Sequence, residues 1–192
     1  KVVDRTKELA HALDEVETIN ERLSESNAKL EGFGATLKRY LTMQLVDSII
    51  RGEKITGSNT ERRKITVFFS DIKAFTDTTD SLEAEELSSL LNEYLTEMTR
   101  IATKHGGTID KFIGDAIMVF FSAPESLGEK EDALRCVRMA MEMQARMKEL
   151  REKWFNQGIE RLLEIRIGIN TGVATVGDFG AEERLSYTTI GG

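Results

Sequence analysis

Six apolar residues recur at a strict interval of seven through the first forty positions: Val2, Leu9, Val16, Leu23, Leu30 and Leu37. The companion position three residues on reads Arg5, Ala12, Ile19, Ser26 and Phe33. Seven residues fall just short of two helical turns, so such a stripe keeps facing a partner only if two helices wind around each other with a left-handed twist. The pattern predicts a parallel two-stranded coiled coil over residues 1–37. A helix packed on its own domain would instead show a wider face with a 3.6-residue period. The polar seam members weaken the pairing, which suits a signal-transmitting helix better than a static rod. No proline interrupts residues 1–50, and Gly32 and Gly34 are expected to break the helix near its end.

A second amphipathic stretch follows, with Leu37, Tyr40, Leu41, Leu45, Ile49 and Ile50 at helical spacing. Arg51-Gly52 and Gly57-Ser58-Asn59 then supply a helix stop and a loop. Residues 38–63 therefore read as a short transducing helix and a linker, and residues 64–192 as a globular domain.

Within that domain strand and helix signals alternate. Lys64 to Ser70 is rich in β-branched and aromatic residues, a buried-strand pattern. Leu82 to Lys104 is helical, with Leu87, Leu90, Leu91, Tyr94, Leu95, Met98 and Ile101 on one side, and Gly106-Gly107 ends it. Thr108–Ile113 and Ala116–Phe121 form a hairpin around Gly114-Asp115. A long helix covers about Lys130 to Trp154. Leu163–Asn170 and Val173–Val176 read as a second strand pair turning at Thr171-Gly172, with Leu185–Ile190 as a further strand. The order is β-α-β-β-α-β with more β after it: an α+β domain of ferredoxin-like type, its antiparallel-rich sheet carrying helices on one face.

Charge and composition exclude several functions. Lys and Arg total 26 against 33 Asp and Glu, a net charge of -7, whereas a sequence-blind nucleic-acid binder needs a basic face. The longest apolar run, Ala116 to Phe121, is far too short to span a bilayer. A single cysteine, Cys136, and two histidines, His11 and His105, leave no basis for an internal disulfide, a cysteine-rich zinc site or a histidine metal site. A reducing, cytoplasmic setting is expected, with any membrane attachment confined to a region upstream. The start at Lys1 and the end at Gly191-Gly192 suggest a piece of a longer protein.

Asp71 closes the first strand and Asp115 sits at the next hairpin turn, so both carboxylates are expected at the rim of one sheet. Hard oxygen ligands placed there suit Mg²⁺ or Mn²⁺ carrying a polyphosphate. The spacing alone fits a capped turn equally well. Ile72-Lys73-Ala74-Phe75-Thr76 then leads directly from strand to helix, where backbone N–H groups can cradle phosphates.

On these segments the sequence resembles a known family. Phe68–Thr76 (FFSDIKAFT), Asp110–Phe121 (DKFIGDAIMVFF), Ile165–Gly180 (IRIGINTGVATVGDFG) and Tyr187–Gly191 (YTTIG) resemble the catalytic domain of class III nucleotidyl cyclases. Tyr40 to Glu53 resembles the transducing helix that precedes such domains in bacterial cyclases. The resemblance implies an adenylate cyclase, a phosphorus-oxygen lyase that converts ATP into 3′,5′-cyclic AMP and pyrophosphate at a homodimer interface, with two Mg²⁺ or Mn²⁺ ions per active site. By position, Asp71 and Asp115 match the metal-binding aspartates and Ile72 a backbone carbonyl ligand. Phe75 and Thr76 fall where backbone amides meet the triphosphate, and Arg166 matches an arginine near the phosphates.

Lys111 and Thr188 match the base-reading pair, and the threonine resembles the bicarbonate-responsive subgroup, class IIIb. A lysine can donate to adenine N1, and a hydroxyl can accept from the exocyclic amine. Guanine would set its N1–H against the lysine, donor against donor. A coiled coil entering a transducing helix implies an upstream sensor in the same chain.

Two departures from the family stand out. Ala74 replaces a usual glycine. The family's asparagine and arginine that follow the last motif lie beyond Gly192, so the fragment alone is expected to catalyse poorly. The competing readings are a guanylate cyclase on the same scaffold and a non-catalytic dimerisation or signal-relay module.

Overall fold

The computed structural model describes residues 2–40, 60–79, 82–159, 163–181 and 184–191. The chain divides into two compact units, Lys1–Lys54 and Ile55–Gly192. Among the described residues no helix is long and apolar enough to cross a membrane.

The described residues of the first unit form one helix, α1 (Val2–Tyr40), of 39 residues. It continues through Gly32 and Gly34, contrary to the expected break. Neither glycine takes a positive φ, so each costs the helix only about 1 kcal/mol of propensity without redirecting the backbone. The seam side chains Val16, Ile19, Leu23, Leu30 and Phe33 are each more than half exposed. The stretch from Leu41 to Ile50, most of the expected transducing helix, and the loop to Asn59 lie outside the described residues.

The second unit is a five-stranded, wholly antiparallel sheet in the order β2-β3-β1-β4-β5. Its strands are β1 (Thr60–Ile72), β2 (Thr108–Ile113), β3 (Ala116–Phe121), β4 (Ile165–Ala181) and β5 (Arg184–Ile190). Its helices are α2 (Phe75–Thr79), α3 (Ala84–Lys104) and α4 (Glu129–Asn156). The β2-β3-β1-β4 order is the expected ferredoxin-like core, with β5 added at the β4 edge.

β1 and β4 depart most from the expected strands. β1 begins at Thr60, because its charged start, Glu61 to Lys64, pairs with Val173 to Val176 of β4. Polarity hid those ladder positions from a pattern based on apolar runs. The turn expected at Thr171-Gly172 is absent: β4 runs through it as one strand of 17 residues. Thr171 lies opposite Thr66, their hydroxyls 2.9 Å apart, and Gly172 lies opposite Ile65. A partner as long as β1 overrides a local turn signal, since the backbone groups that face it gain ladder bonds.

Period-two alternation separates the two faces of the sheet. Phe68, Ile72, Ile117, Val119, Phe121 and Ile165 point to the helices, where Leu90, Tyr94 and Met98 of α3 meet Met139, Met143, Leu150 and Trp154 of α4. The other face holds a smaller cluster, Ile65, Phe120, Ala123 and Val176, with Tyr187 of β5 packed against it. α3 is terminated by Gly106, which takes φ +73°. At Gly107 a Cβ would stand 2.7 Å from Val119 Cγ1, so only glycine lets the chain enter β2 there.

Asp132, in the first turn of α4, ties the preceding loop down. Its fully buried carboxylate accepts from Ser126 Oγ at 2.5 Å, Leu127 N at 3.2 Å and Arg135 Nη2 at 2.6 Å. Burial opposes its ionisation, but the Ser126, Arg135 and Leu127 hydrogen bonds outweigh it and hold the group below the usual carboxylate range. Its contribution is therefore complete above the ordinary aspartate pKa and fades as pH falls through the lower folded value. Asp132→Ala should cost about 3 kcal/mol at pH 7, because Arg135 loses its buried partner. Urea unfolding should show that loss shrinking toward pH 3, whereas a loss independent of pH would contradict the ionised anchor.

Candidate active site

The end of β1 gathers the residues expected to hold the metal ions. Asp71 is the penultimate residue of that strand and shares the face of Ile65 and Val67, away from the helices. Its cross-strand partner on β4 is Arg166. The pair closes as a fork: Arg166 Nε donates to Asp71 Oδ1 and Nη2 to Asp71 Oδ2, both at 2.8 Å. That fork pushes the arginine pKa up, with the Asp71 charge reinforcing the hydrogen bonds and Asp115 adding to it. Both side chains remain open to water, 67% for Arg166 and 41% for Asp71, so the pair is screened and a competing cation can displace it.

Asp115 reaches the same point from the β2–β3 turn. Its Oδ2 accepts from the backbone N–H of Ile72 at 2.6 Å. This bond draws the hairpin turn to the strand end and places the second carboxylate beside the first. Gly114, with φ +63°, makes that turn. Behind the carboxylates lies the fully buried Tyr94, whose phenol is pushed up to about 12 by burial, with Asp115 and Asp71 adding to the effect. Tyr94 was legible in the sequence only as a core position on α3.

Among the described residues no group of three His, Cys, Asp or Glu side chains could hold a metal ion. Two carboxylates beside a strand-end backbone fit a cation that completes its shell with water and substrate oxygens, as Mg²⁺ does. All the donors are hard oxygens, and Asp71 is half-exposed, so the residues present fit such an ion.

Immediately beyond, Ala74 takes φ +54°, the left-handed region, and Phe75 and Thr76 open the five-residue α2. Lys73 N donates to Glu164 O at 2.7 Å, which fixes the loop against the entry to β4. Glycine would adopt the Ala74 conformation without strain, so the departure noted in the sequence falls on a position that demands a special backbone.

The expected base-reading residues also meet. Lys111 Nζ donates to Thr188 Oγ1 at 3.3 Å, across 77 residues of sequence. The strands that carry them are the two opposite edges of the sheet, which therefore coils until β5 reaches β2. Thr188 is buried and Lys111 is half-exposed. Asp110, which the sequence reading did not single out, joins them: Thr188 Oγ1 donates to its Oδ2 at 2.6 Å. Its adjacency to Lys111 concealed it, since neighbours on a regular strand point to opposite faces. Asp71, Asp115 and Arg166 thus form one group, and Lys111, Asp110 and Thr188 another.

The family model for the adenylate and guanylate cyclase catalytic domain matches residues 58–191, and the chain belongs to that family. Over 177 residues it is 29% identical to adenylate cyclase 1 of Rhizobium meliloti (strain 1021), covering 92% of this chain and 26% of that protein. The chain thus spans about a quarter of that relative's length. The crystal structure of the adenylyl cyclase CyaB from P. aeruginosa is 57% identical, with a TM-score of 0.68, covering 69% of this chain and 68% of that one. The guanylyl cyclase Cya2 is 44% identical, with a TM-score of 0.64, covering 68% of this chain and 65% of that one.

Replacing Ala74 with glycine should stabilise the protein by about 1 kcal/mol, the left-handed penalty less the added freedom of the unfolded chain. Thermal melting of the two forms decides it: a destabilised glycine variant would mean that Ala74 does not hold the left-handed conformation.

Proposed function

We propose that this member of the adenylate and guanylate cyclase family converts ATP into 3′,5′-cyclic AMP and pyrophosphate, at sites completed by two copies of the chain. The observation that carries the reading is the contact between Lys111 and Thr188. It pairs a fixed donor with a hydroxyl, the complement of adenine's N1 and exocyclic amine. A guanine in the same place would bring its N1–H against the ammonium, donor against donor. The 44% identity to a guanylyl cyclase makes that enzyme the second reading, and the same two residues speak against it.

Asp71, Asp115 and the Ile72 carbonyl would hold two divalent ions, Mg²⁺ or Mn²⁺. Bound there, such ions supply Lewis-acid polarisation of phosphate oxygens and lower the pKa of a coordinated hydroxyl. The chain's own groups do the remaining work. Asp115 keeps its place through the Ile72 N–H. Arg166 stands at the same rim, where its two N–H donors would meet the phosphates and balance the charge of the leaving pyrophosphate. Backbone amides of Phe75 and Thr76 meet the triphosphate. Lys111 and Thr188 orient the base, and thereby the ribose 3′-hydroxyl, for in-line attack on the α-phosphorus.

The exposed heptad stripe of α1 fits a second copy of the same helix in parallel, as does its seven-residue period. Such a coiled coil would set how the two cyclase domains meet and would carry the state of a sensor upstream in the same chain.

The activity test is cyclic-nucleotide formation from ATP and from GTP, side by side with Mn²⁺, on the full-length protein that contains this domain. Selective cyclic AMP formation is expected, and Asp71→Ala should reduce it at least about a hundredfold. Product from neither nucleotide in a folded dimer would overturn the reading in favour of a signal-relay module. For the helix, Leu23→Asp sets a charge at the seam and should shift sedimentation of the protein toward monomer. An unchanged dimer would remove α1 as the pairing element.

A further inference from the structure

We propose that Asp110 is a positioning residue that orients the Thr188 hydroxyl and thereby sets the preference for a base carrying an exocyclic amine. The inference rests on the assignment of Lys111 and Thr188 as base readers given above.

Three observations support it. The first is a β-bulge. Ile109 pairs with Val119 and Lys111 with Met118, so two steps on β2 match one step on β3, and Asp110 is the extra residue. In a regular strand Asp110 and Lys111 would point to opposite faces; the bulge turns both toward β5.

The second is burial. The Asp110 side chain is 1% exposed, an expensive place for a carboxylate unless its neighbours compensate it. Its Oδ2 accepts from Thr188 Oγ1 at 2.6 Å, and Lys111 Nζ stands 3.4 Å from its Oδ1.

The third is the count of hydrogens. A threonine hydroxyl has one proton, and here the carboxylate, which can only accept, takes it. The Thr188 oxygen is left as a pure acceptor. Lys111 donates to it at 3.3 Å, and a further lone pair is available to an incoming N–H.

An exocyclic amine supplies that N–H. A carbonyl oxygen in the same position meets lone pair against lone pair and goes unpaired, the situation in which polar sites discriminate most strongly. Without Asp110 the hydroxyl would rotate and donate to a carbonyl as readily as accept from an amine. Oδ1 accepts no hydrogen bond among the described residues. At 3.4 Å it holds Lys111 near without a close bond, so the ammonium can turn to a ring nitrogen while its charge stays compensated.

The test compares kcat and KM for ATP and for GTP in the full-length protein, with Asp110→Asn, Thr188→Val and the double variant. Asparagine has nearly the same shape but can offer an N–H to the Thr188 oxygen, which releases the hydroxyl proton. Asp110→Asn should lower the ATP-over-GTP preference at least about tenfold, mainly through KM for ATP. In the T188V background the same change should have no further effect on that preference, because its route is gone. An unchanged preference in Asp110→Asn, or an equal drop with and without the hydroxyl, overturns the inference while leaving the cyclase reading intact. A wild-type protein with no selectivity for ATP overturns the base-reader assignment itself.

Should Asp110→Asn fail to fold by thermal melting, Thr188→Ser supplies the decision. It keeps the hydroxyl and should keep the preference that Thr188→Val loses. Equal behaviour of the serine and valine variants refutes the role of the hydroxyl.

Discussion

The β1–β4 ladder is the constraint on which the rest of the domain depends. It runs unbroken from Thr60 opposite Gly177 to Ile72 opposite Ile165. At one end it sets Arg166 directly across from Asp71, so the register of the ladder decides which side chain meets the carboxylate. A one-residue slip would send Arg166 to the helix face and bring a core isoleucine to the rim. At the other end it carries β4 far enough for β5 to pair along it, from Thr175 opposite Ile190 to Ala181 opposite Arg184. Thr188 stands where it does only because β4 does not turn at Gly172.

The two groups of polar side chains are built on different principles. Asp71 and Arg166 come from regular pairing, and Asp115 is drawn to them by one backbone bond from Ile72. Asp110, Lys111 and Thr188 come from an irregularity, a bulge in an edge strand meeting the opposite edge of a coiled sheet. Regular pairing yields a solvent-screened ion pair that can open. The bulge yields a buried carboxylate held by a short hydrogen bond. The first arrangement suits exchange of ligands at a rim, the second discrimination between them.

Much of this was legible in the sequence wherever apolar periodicity is strong. The β2–β3 hairpin matched its expected bounds, and α3 and α4 lie within two residues of theirs, because their buried faces leave one register open. Asp71 and Asp115 could be placed at a strand end and a turn because apolar runs flank them. Three features could not be read. The charged start of β1 pairs through its backbone, which side-chain polarity does not report. The Thr171-Gly172 dipeptide carries a turn signal that acts only when no long strand lies alongside. Asp110 is invisible to pattern because a bulge is defined by its partner strand, which is distant in sequence. Gly32 and Gly34 erred in the other direction: their propensity cost is real but too small to stop a helix with intact turns on both sides.

One property of β1 reaches beyond the site. Its 13 residues form a single extended strut of about 40 Å, braced by β4 throughout and by β3 from Thr66 to Ser70. A strand held in this way resists bending, so a push, pull or twist applied at Thr60 cannot be absorbed along its length. One strand without a joint thus connects Thr60 to the rim that carries Asp71.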